Sequence, residues 1–506
     1  MDCFSREMSF PRVRNNPDDG TLYDLCSHQG QKTVYGSTNF VTRVRNRSAR
    51  ETYVVSNVPL GRRQQPLGED EARKIALEVQ NYLQGQAVVQ IDRKMGNGRG
   101  MRAHCRLFVS ESHARLAYMW KRSLFPPEDP SGTPDFVSVY VPEWPERKIF
   151  VNAEAGVTYI LGTDYFGEAK KSFLRMAMYR EKSRDRLGFH AASKIIRVSH
   201  GTGEQVDTGF LIFGLSGTGK TTLTTHDHGL GYPEGVVVRQ DDVVVMDEQT
   251  YCAGTENGFF IKTEGLDKNG SDDPIYSAAR SSRAIFENVV LDAEGNPRFS
   301  DTSLTGNGRA IIPRDEFPCT DDDIDLERIR NLVFITRRDD ILPPVARLSP
   351  EQAAAYFMLG ESVETSAGDP NAVGQSRREV GTNPFVIGPE AEEGNRLLRF
   401  LRINPDTNCY LLNTGTIGGQ MDLSVHDSAS ILEQLARESI RWESDPHWGY
   451  EVPTDIPGMD VERMRPEKYY EKLEYDRRVE ELRRERQDWL SAFLGLNPAI
   501  TAVFEG

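Results

Sequence analysis

Residues 214–221 read Gly214-Leu-Ser-Gly-Thr-Gly-Lys220-Thr221, a spacing of glycines, lysine and hydroxyl suited to holding the phosphates of a nucleotide. Gly214, Gly217 and Gly219 let backbone N–H groups turn inward around phosphate oxygens, and Leu215, Ser216, Thr218 and Thr222 complete the loop and its exit. The Lys220 ammonium reaches toward the terminal phosphates, and the Thr221 hydroxyl can hold a metal ion. Further along, Asp241 and Asp242 follow an apolar run. An acidic pair after a strand is more often a turn, but beside a phosphate loop it can serve the metal.

Such a loop works only if it is held between a strand and a helix. The sequence provides both: an apolar run from Thr208 to Gly214 before the loop, a helix start at Lys220, and a second apolar run at residues 236–238 that ends in the acidic pair. Upstream, residues 69–85 carry helical spacing at Ala72, Ile75, Val79 and Leu83. Short apolar runs at 136–140 and within 148–161 read as strands. These elements predict an α/β protein. Residues 1–57 are polar, broken by Gly and Pro, and carry an arginine-rich stretch from Arg43 to Arg50. Residues 461–493 are densely charged and helix-forming, and read as a solvated helical face.

Composition limits the class of function. Lys and Arg total 61 against 76 Asp and Glu, a net charge of -15, which argues against an undirected grip on nucleic acid or an anionic membrane. Residues 1–16 lack the apolar run of a signal peptide, and no segment approaches about eighteen uninterrupted apolar residues, so a cytoplasmic protein is expected. The six cysteines are scattered without ligand or disulfide spacing, and free thiols are expected.

The loop wording GLSGTGKTTL resembles that of the ATP-type phosphoenolpyruvate carboxykinases, and other segments similar to that family flank it in order. Arg47-Ser-Ala-Arg-Glu51 resembles RSPKD, Tyr82-Leu-Gln-Gly85 resembles YLQG, and Gly162-Thr-Asp-Tyr-Phe-Gly-Glu-Ala-Lys-Lys171 resembles GTxYxGEMKK. His190 falls where the MHCSAN histidine would. Gly258-Phe-Phe-Ile-Lys262-Thr is similar to GCYAKT, Thr305-Gly-Asn-Gly-Arg309 to TENTR, residues 342–352 to LPPVSKLTPEQ, and Tyr410-Leu-Leu-Asn-Thr-Gly415 to YLVNTG. The resemblance runs from about residue 40 to near the end of the chain.

The resemblance implies reversible conversion of oxaloacetate and ATP to phosphoenolpyruvate, CO2 and ADP, with Mn2+ and Mg2+. It implies Lys171, His190 and Asp242 as ligands of the first ion. Thr221, with waters held by Asp241, would hold the second near the β- and γ-phosphates. Arg47 and Arg309 would fork onto the substrate carboxylate and the transferring phosphoryl group, and Lys262 would add charge at the γ-phosphate. Tyr165 would lie by the substrate or the departing CO2, Lys170 would be a further cation, and Thr414 would lie beside the nucleotide. The resemblance also implies a two-domain fold, with residues 1–205 an N-terminal α/β substrate-binding domain and 206–506 a P-loop nucleotide- and metal-binding domain, the substrate lying in the cleft between them. Small-molecule partners only and a monomer or small homo-oligomer are expected.

The chain departs from the family pattern in places. The histidine segment reads Phe189-His-Ala-Ala-Ser-Lys194, and the acidic one Gln240-Asp-Asp-Val243 where GDDE is usual. Residues 362–368 and 381–385 match their family counterparts weakly. Asn408 replaces an arginine, removing a cation expected near the nucleotide. Two other readings use the same residues: an altered phosphate donor or acceptor on the same fold, or a catalytically silent nucleotide-binding protein.

Overall fold

The computed structural model describes residues 2–56, 60–200, 203–215, 217–268, 274–363 and 376–505, so Ser216 of the phosphate loop lies outside the described residues. The architecture is α/β throughout. The chain forms two compact units, Met1–Gly188 with Ala253–Ile324 and Phe385–Gly388, and Phe189–Cys252 with Asp325–Pro384 and Pro389–Gly506.

The first unit is built on an eight-stranded mixed sheet in the order Val13–Asn15, Val88–Met95, Ala103–Ser110, Phe136–Val141, Val157–Leu161, Lys148–Asn152, Thr52–Val55 and Gln65–Leu67. Successive side chains of a strand point to opposite faces, and both faces here are covered. Val137, Val139 and Val141 join a core with Ala72, Ala76, Val79 and Leu83 of the Glu69–Gln84 helix, whose apolar spacing the sequence displays. The intervening residues face the Phe166–Ser183 helix. Ser138 Oγ lies 2.8 Å from Ser172 Oγ, and Tyr140 Oη donates to the Tyr165 carbonyl at 2.8 Å.

A second, five-stranded sheet in this unit runs Gly258–Lys262, Arg309–Pro313, Ile285–Glu287, Thr38–Phe40 and Gly30–Lys32. It explains why the grouping differs from a single cut at residue 205. Ile285–Glu287 pairs in parallel with Thr38–Phe40 and antiparallel with Arg309–Pro313, so residues 253–324 close a sheet begun near the start of the chain.

The sheet of the second unit includes, in order, Val243–Met246, Leu187–Ser199, Gln205–Phe213, Asn331–Thr336, Asn408–Asn413, Val345–Leu348, Glu451–Asp455 and Arg441–Ser444. Gln205–Phe213, Asn331–Thr336 and Asn408–Asn413 are parallel, and the phosphate loop follows the first of them. In parallel α/β sheets that carboxyl edge is where ligands bind.

The charged C-terminal stretch folds as the Lys472–Ser491 helix, but it is not solvated all round. Tyr475, Val479, Leu482, Arg486 and Leu490 form a buried stripe at helical spacing. Arg486 is fully buried, donates to Glu361 at 3.1 Å through Nε, and lies over the rings of Tyr356, Trp448 and Phe504. Among the described residues no helix is long and apolar enough to cross a membrane.

Candidate active site

In the second unit the phosphate loop is bounded by the strand Gln205–Phe213 and the short helix Lys220–Thr225. Gly219 adopts φ +91°, a left-handed turn suited to glycine, and a Cβ on Gly214 would come within 2.5 Å of Thr218 Oγ1. The neighbouring strands brace the loop. Thr414 Oγ1 donates to the Thr218 carbonyl at 2.9 Å, the Thr414 N–H donates to the Thr336 carbonyl at 2.9 Å, and Thr218 Oγ1 donates to the Leu215 carbonyl at 2.8 Å.

The acidic pair ends the strand Gly235–Gln240, and it lies beside the loop: Lys220 Nζ donates to the Asp241 carbonyl at 2.6 Å. Asp241 and Asp242 are both buried. The Gly-to-Gln departure before them coincides with a register shift opposite Ser193 and Lys194, where Arg239 is the extra residue. Such a bulge turns the strand end and re-aims the side chains that follow.

His190 completes this set. Its Nε2 lies 3.2 Å from Asp242 Oδ1, and its Nδ1 lies 2.6 Å from the Thr382 carbonyl. A carbonyl only accepts, so Nδ1 carries the proton, and in the neutral ring Nε2 presents a lone pair toward a carboxylate oxygen. A protonated ring would donate to that carboxylate directly, and a neutral ring held through its other nitrogen is the usual state of a metal ligand. These donors therefore fit a divalent ion, while among the described residues no group of three His, Cys, Asp or Glu side chains forms a ligand cluster. Thr382 holds its carbonyl in place from a left-handed φ of +53°, an uncommon conformation for a β-branched residue, and its hydroxyl donates back to the His190 carbonyl at 3.3 Å. Thr221 is half-buried at the helix start, beside Thr222.

Lys194, a departure from the family pattern, has a structural task. Its buried ammonium donates to the Leu223 carbonyl at 2.5 Å and to His228 Nε2 at 2.6 Å, placing positive charge at the carboxyl end of the phosphate-loop helix. Asn408 does not lie by the loop. It pairs with Asn331 at the amino end of its strand, whereas Thr414 touches the loop at the other end, about 20 Å away along the strand at the usual rise per residue.

In the first unit the Phe166–Ser183 helix carries Lys170 and Lys171, and both are buried, not on an exposed face. Lys170 pairs with the buried Glu256 and lies over the Phe260 ring at 5.6 Å. Lys171 lies over the Phe385 ring at 4.8 Å. The Tyr165 ring is buried over Gly167, where a Cβ would come within 2.4 Å of it.

A network fixes the start of this helix. Asp164 accepts the N–H groups of Arg43 and Val44 at 3.0 and 2.9 Å and a 3.1 Å bond from Arg115. Glu287 accepts the Phe166 N–H at 2.9 Å. Glu168 accepts the Ser48 N–H at 2.6 Å, which places Arg47 beside the helix, its guanidinium 5.5 Å from the Phe385 centroid. Burial pushes the Glu287 carboxyl up to about 7, against the pull of Arg115 and Arg309.

Lys262 and Arg309 stand directly opposite each other in paired strands. Like charges in that position destabilise a sheet unless an anion is near. Lys262 pairs with Glu264. Arg309 Nη2 donates to Asn307 Oδ1 at 2.7 Å, and its guanidinium lies 5.6 Å from the Phe260 centroid. Asn307 also donates to the Arg45 carbonyl at 3.1 Å, which ties the arginine-rich stretch to the 305–309 loop.

Comparison with known proteins decides the family. The family model for phosphoenolpyruvate carboxykinase matches residues 12–462. The chain belongs to the phosphoenolpyruvate carboxykinase family. Among its carboxykinase relatives, the phosphoenolpyruvate carboxykinase (ATP) of Aeropyrum pernix is 38% identical over 493 residues, 96% of this chain and 95% of the relative. Enzymes of the same name from Mesorhizobium japonicum and Brucella anthropi are each 29% identical, over 67% of this chain and 62% of their own length. The two-domain carboxykinase fold agrees with the α/β architecture.

Four residues around these carboxykinase segments were not singled out from sequence. Thr382 and Phe385 lie in the weakly matching 381–385 segment, and Glu287 lies in a strand of three residues with no motif of its own. Arg175 had a signal: it stands four residues after Lys171 on the same helical face.

Proposed function

We propose that this protein is an ATP-dependent phosphoenolpyruvate carboxykinase that interconverts oxaloacetate and ATP with phosphoenolpyruvate, CO2 and ADP, using Mn2+ and Mg2+. The observation that most directly supports this over a silent nucleotide binder is the His190–Asp242 pair, oriented for a cation and adjoining the Asp241 carbonyl that Lys220 grips.

Loss of CO2 leaves the carbon–carbon bonding pair on the substrate as an enolate, whose oxygen attacks the γ-phosphorus while the β–γ phosphorus–oxygen bond breaks and ADP departs. The loop amides and Lys220 hold the phosphates. Lys262 and Arg309, opposed across their strands, take the charge of the transferring phosphoryl group, and Arg47 takes a substrate carboxylate. Tyr165 lies by the substrate, Lys170 adds charge behind it, and Thr414 braces the loop beside the nucleotide. Lys171, His190 and Asp242 would hold Mn2+, and Thr221 with Asp241 would hold Mg2+. When bound, these ions withdraw negative charge from the enolate and phosphate oxygens. The enzyme acts in the cytoplasm on small molecules, as a monomer or small homo-oligomer.

The test is formation of phosphoenolpyruvate from oxaloacetate with Mn2+ and Mg2+, offering ATP, GTP or pyrophosphate separately. Product with ATP is expected, falling about 100-fold or more in Lys220→Ala. Product with another donor only would overturn the nucleotide assignment, and none with any donor would overturn the reaction.

A further inference from the structure

One turn beyond Lys171 the Phe166–Ser183 helix presents another cation. Arg175 lies with its guanidinium 5.7 Å from the centroid of Phe385, the ring that also receives Lys171 and Arg47. Only 9% of Arg175 is exposed. Even so, its guanidinium makes no hydrogen bond or ion pair with a described residue, and neither does that of Arg47. A largely buried guanidinium that no protein acceptor holds gains most from an anion entering beside it.

Within this cluster the nearby carboxylate is Glu168, whose Oε1 is occupied by the Ser48 N–H. Burial pushes the Glu168 carboxyl up. Burial also lowers the Arg175 pKa, with Arg47 adding to the effect and Glu168 opposing it. Two guanidiniums converging on one ring, with a single weakly available carboxylate between them, form a site for an anion of carboxylate geometry.

We propose that Arg175 binds substrate together with Arg47, gripping the carboxylate that oxaloacetate and phosphoenolpyruvate share. This rests on the reaction proposed above. The chemistry selects the shared carboxylate and not the one released as CO2, because a cation paired with the leaving carboxylate stabilises the ground state against its loss. The shared group keeps its charge in both directions, so a fixed arginine pair holds it throughout.

Steady-state kinetics of Arg175→Met, Arg175→Gln and Arg175→Lys in both directions tests the assignment. KM for oxaloacetate and KM for phosphoenolpyruvate are expected to rise together, roughly 10- to 100-fold in Arg175→Met, with partial recovery in Arg175→Lys and unchanged KM for ATP and ADP. Phosphoenolpyruvate should also raise the melting temperature of the unaltered protein and fail to raise that of Arg175→Met. A merely structural arginine would shift nucleotide and acid constants alike and leave the melting shift in place. Either result, or a KM change for one acid alone, overturns the proposal. If Arg175→Met does not fold, Arg175→Lys and Arg175→Gln carry the same comparison. If the unaltered protein makes no phosphoenolpyruvate, the reaction fails, and the melting shift still decides whether Arg175 holds the anion.

Discussion

Glu287 shows how a residue remote from the reaction controls those that take part. It is fully buried, accepts the N–H that starts the helix bearing Lys170 and Lys171, and stands beside Arg309 in the adjacent strand. Its carboxyl is held up to about 7 by burial, from an ordinary value of 4.5. A carboxyl raised on folding stabilises the native state below about 4.5, and that contribution is lost as pH rises through about 7, because the buried group must then ionise. Glu287→Gln keeps the carbonyl acceptor for Phe166 and removes the ionisation. The melting temperature of the variant relative to the parent is therefore expected to be higher at pH 8 than at pH 5. A constant difference across that range would show that Glu287 does not titrate there. The phosphate loop was legible because its chemistry is local: Gly214, Gly219 and Lys220 act through their own backbone turns and reach. Glu287, Thr382 and Phe385 were not, because each works on a partner distant in sequence, His190 for Thr382 and Arg47 for Phe385.

At the scale of elements, the Glu69–Gln84 helix was readable from its periodicity, and the strands around 136–161 from apolar runs that are buried on both faces. The Lys472–Ser491 helix misleads for a physical reason. Its buried stripe includes Arg486, so a hydrophobic pattern read from sequence breaks in the middle of the face that packs. Glu361 accepts from Arg486 and from Arg378, and these arginines with Arg338 hold its carboxyl down to about 2. Arg486→Met preserves much of the packing volume but takes from a buried carboxylate the arginine that bonds both its oxygens. Loss of about 3–5 kcal/mol is expected, measured by urea unfolding. A loss below about 1 kcal/mol would mean that Glu361 finds its counter-charge in Arg378 and Arg338 alone. This variant should leave the kinetic constants of the folded enzyme near the parent values, since Arg486 touches none of the proposed reacting groups.

At the scale of the whole molecule, each unit is assembled from three stretches of chain. The strand Thr38–Phe40 relies on Ile285–Glu287. Thr42 accepts from Asn288 Nδ2 at 2.8 Å, and Asn39 Nδ2 donates to the Val289 carbonyl at 2.9 Å. A fragment of residues 1–205 would leave Gly30–Lys32 and Thr38–Phe40 as a two-stranded ribbon, which is marginal in water. The amides of Thr38, Asn39 and Phe40 are expected to exchange hydrogen rapidly in that fragment and slowly in the full chain. Equal protection in both would show that the fragment is an autonomous domain.

The same interleaving bears on how the protein is made. Translation delivers Phe385 long after Arg47, Lys171 and Arg175. At about 5–20 residues per second that delay is on the order of tens of seconds. Throughout it the nascent chain carries its cations without the ring that gathers them. The first unit, though it begins the chain, is thus completed only once residue 388 has been made, and slowing the ribosome within residues 189–384 would prolong the life of an incomplete first unit while leaving the finished enzyme the same.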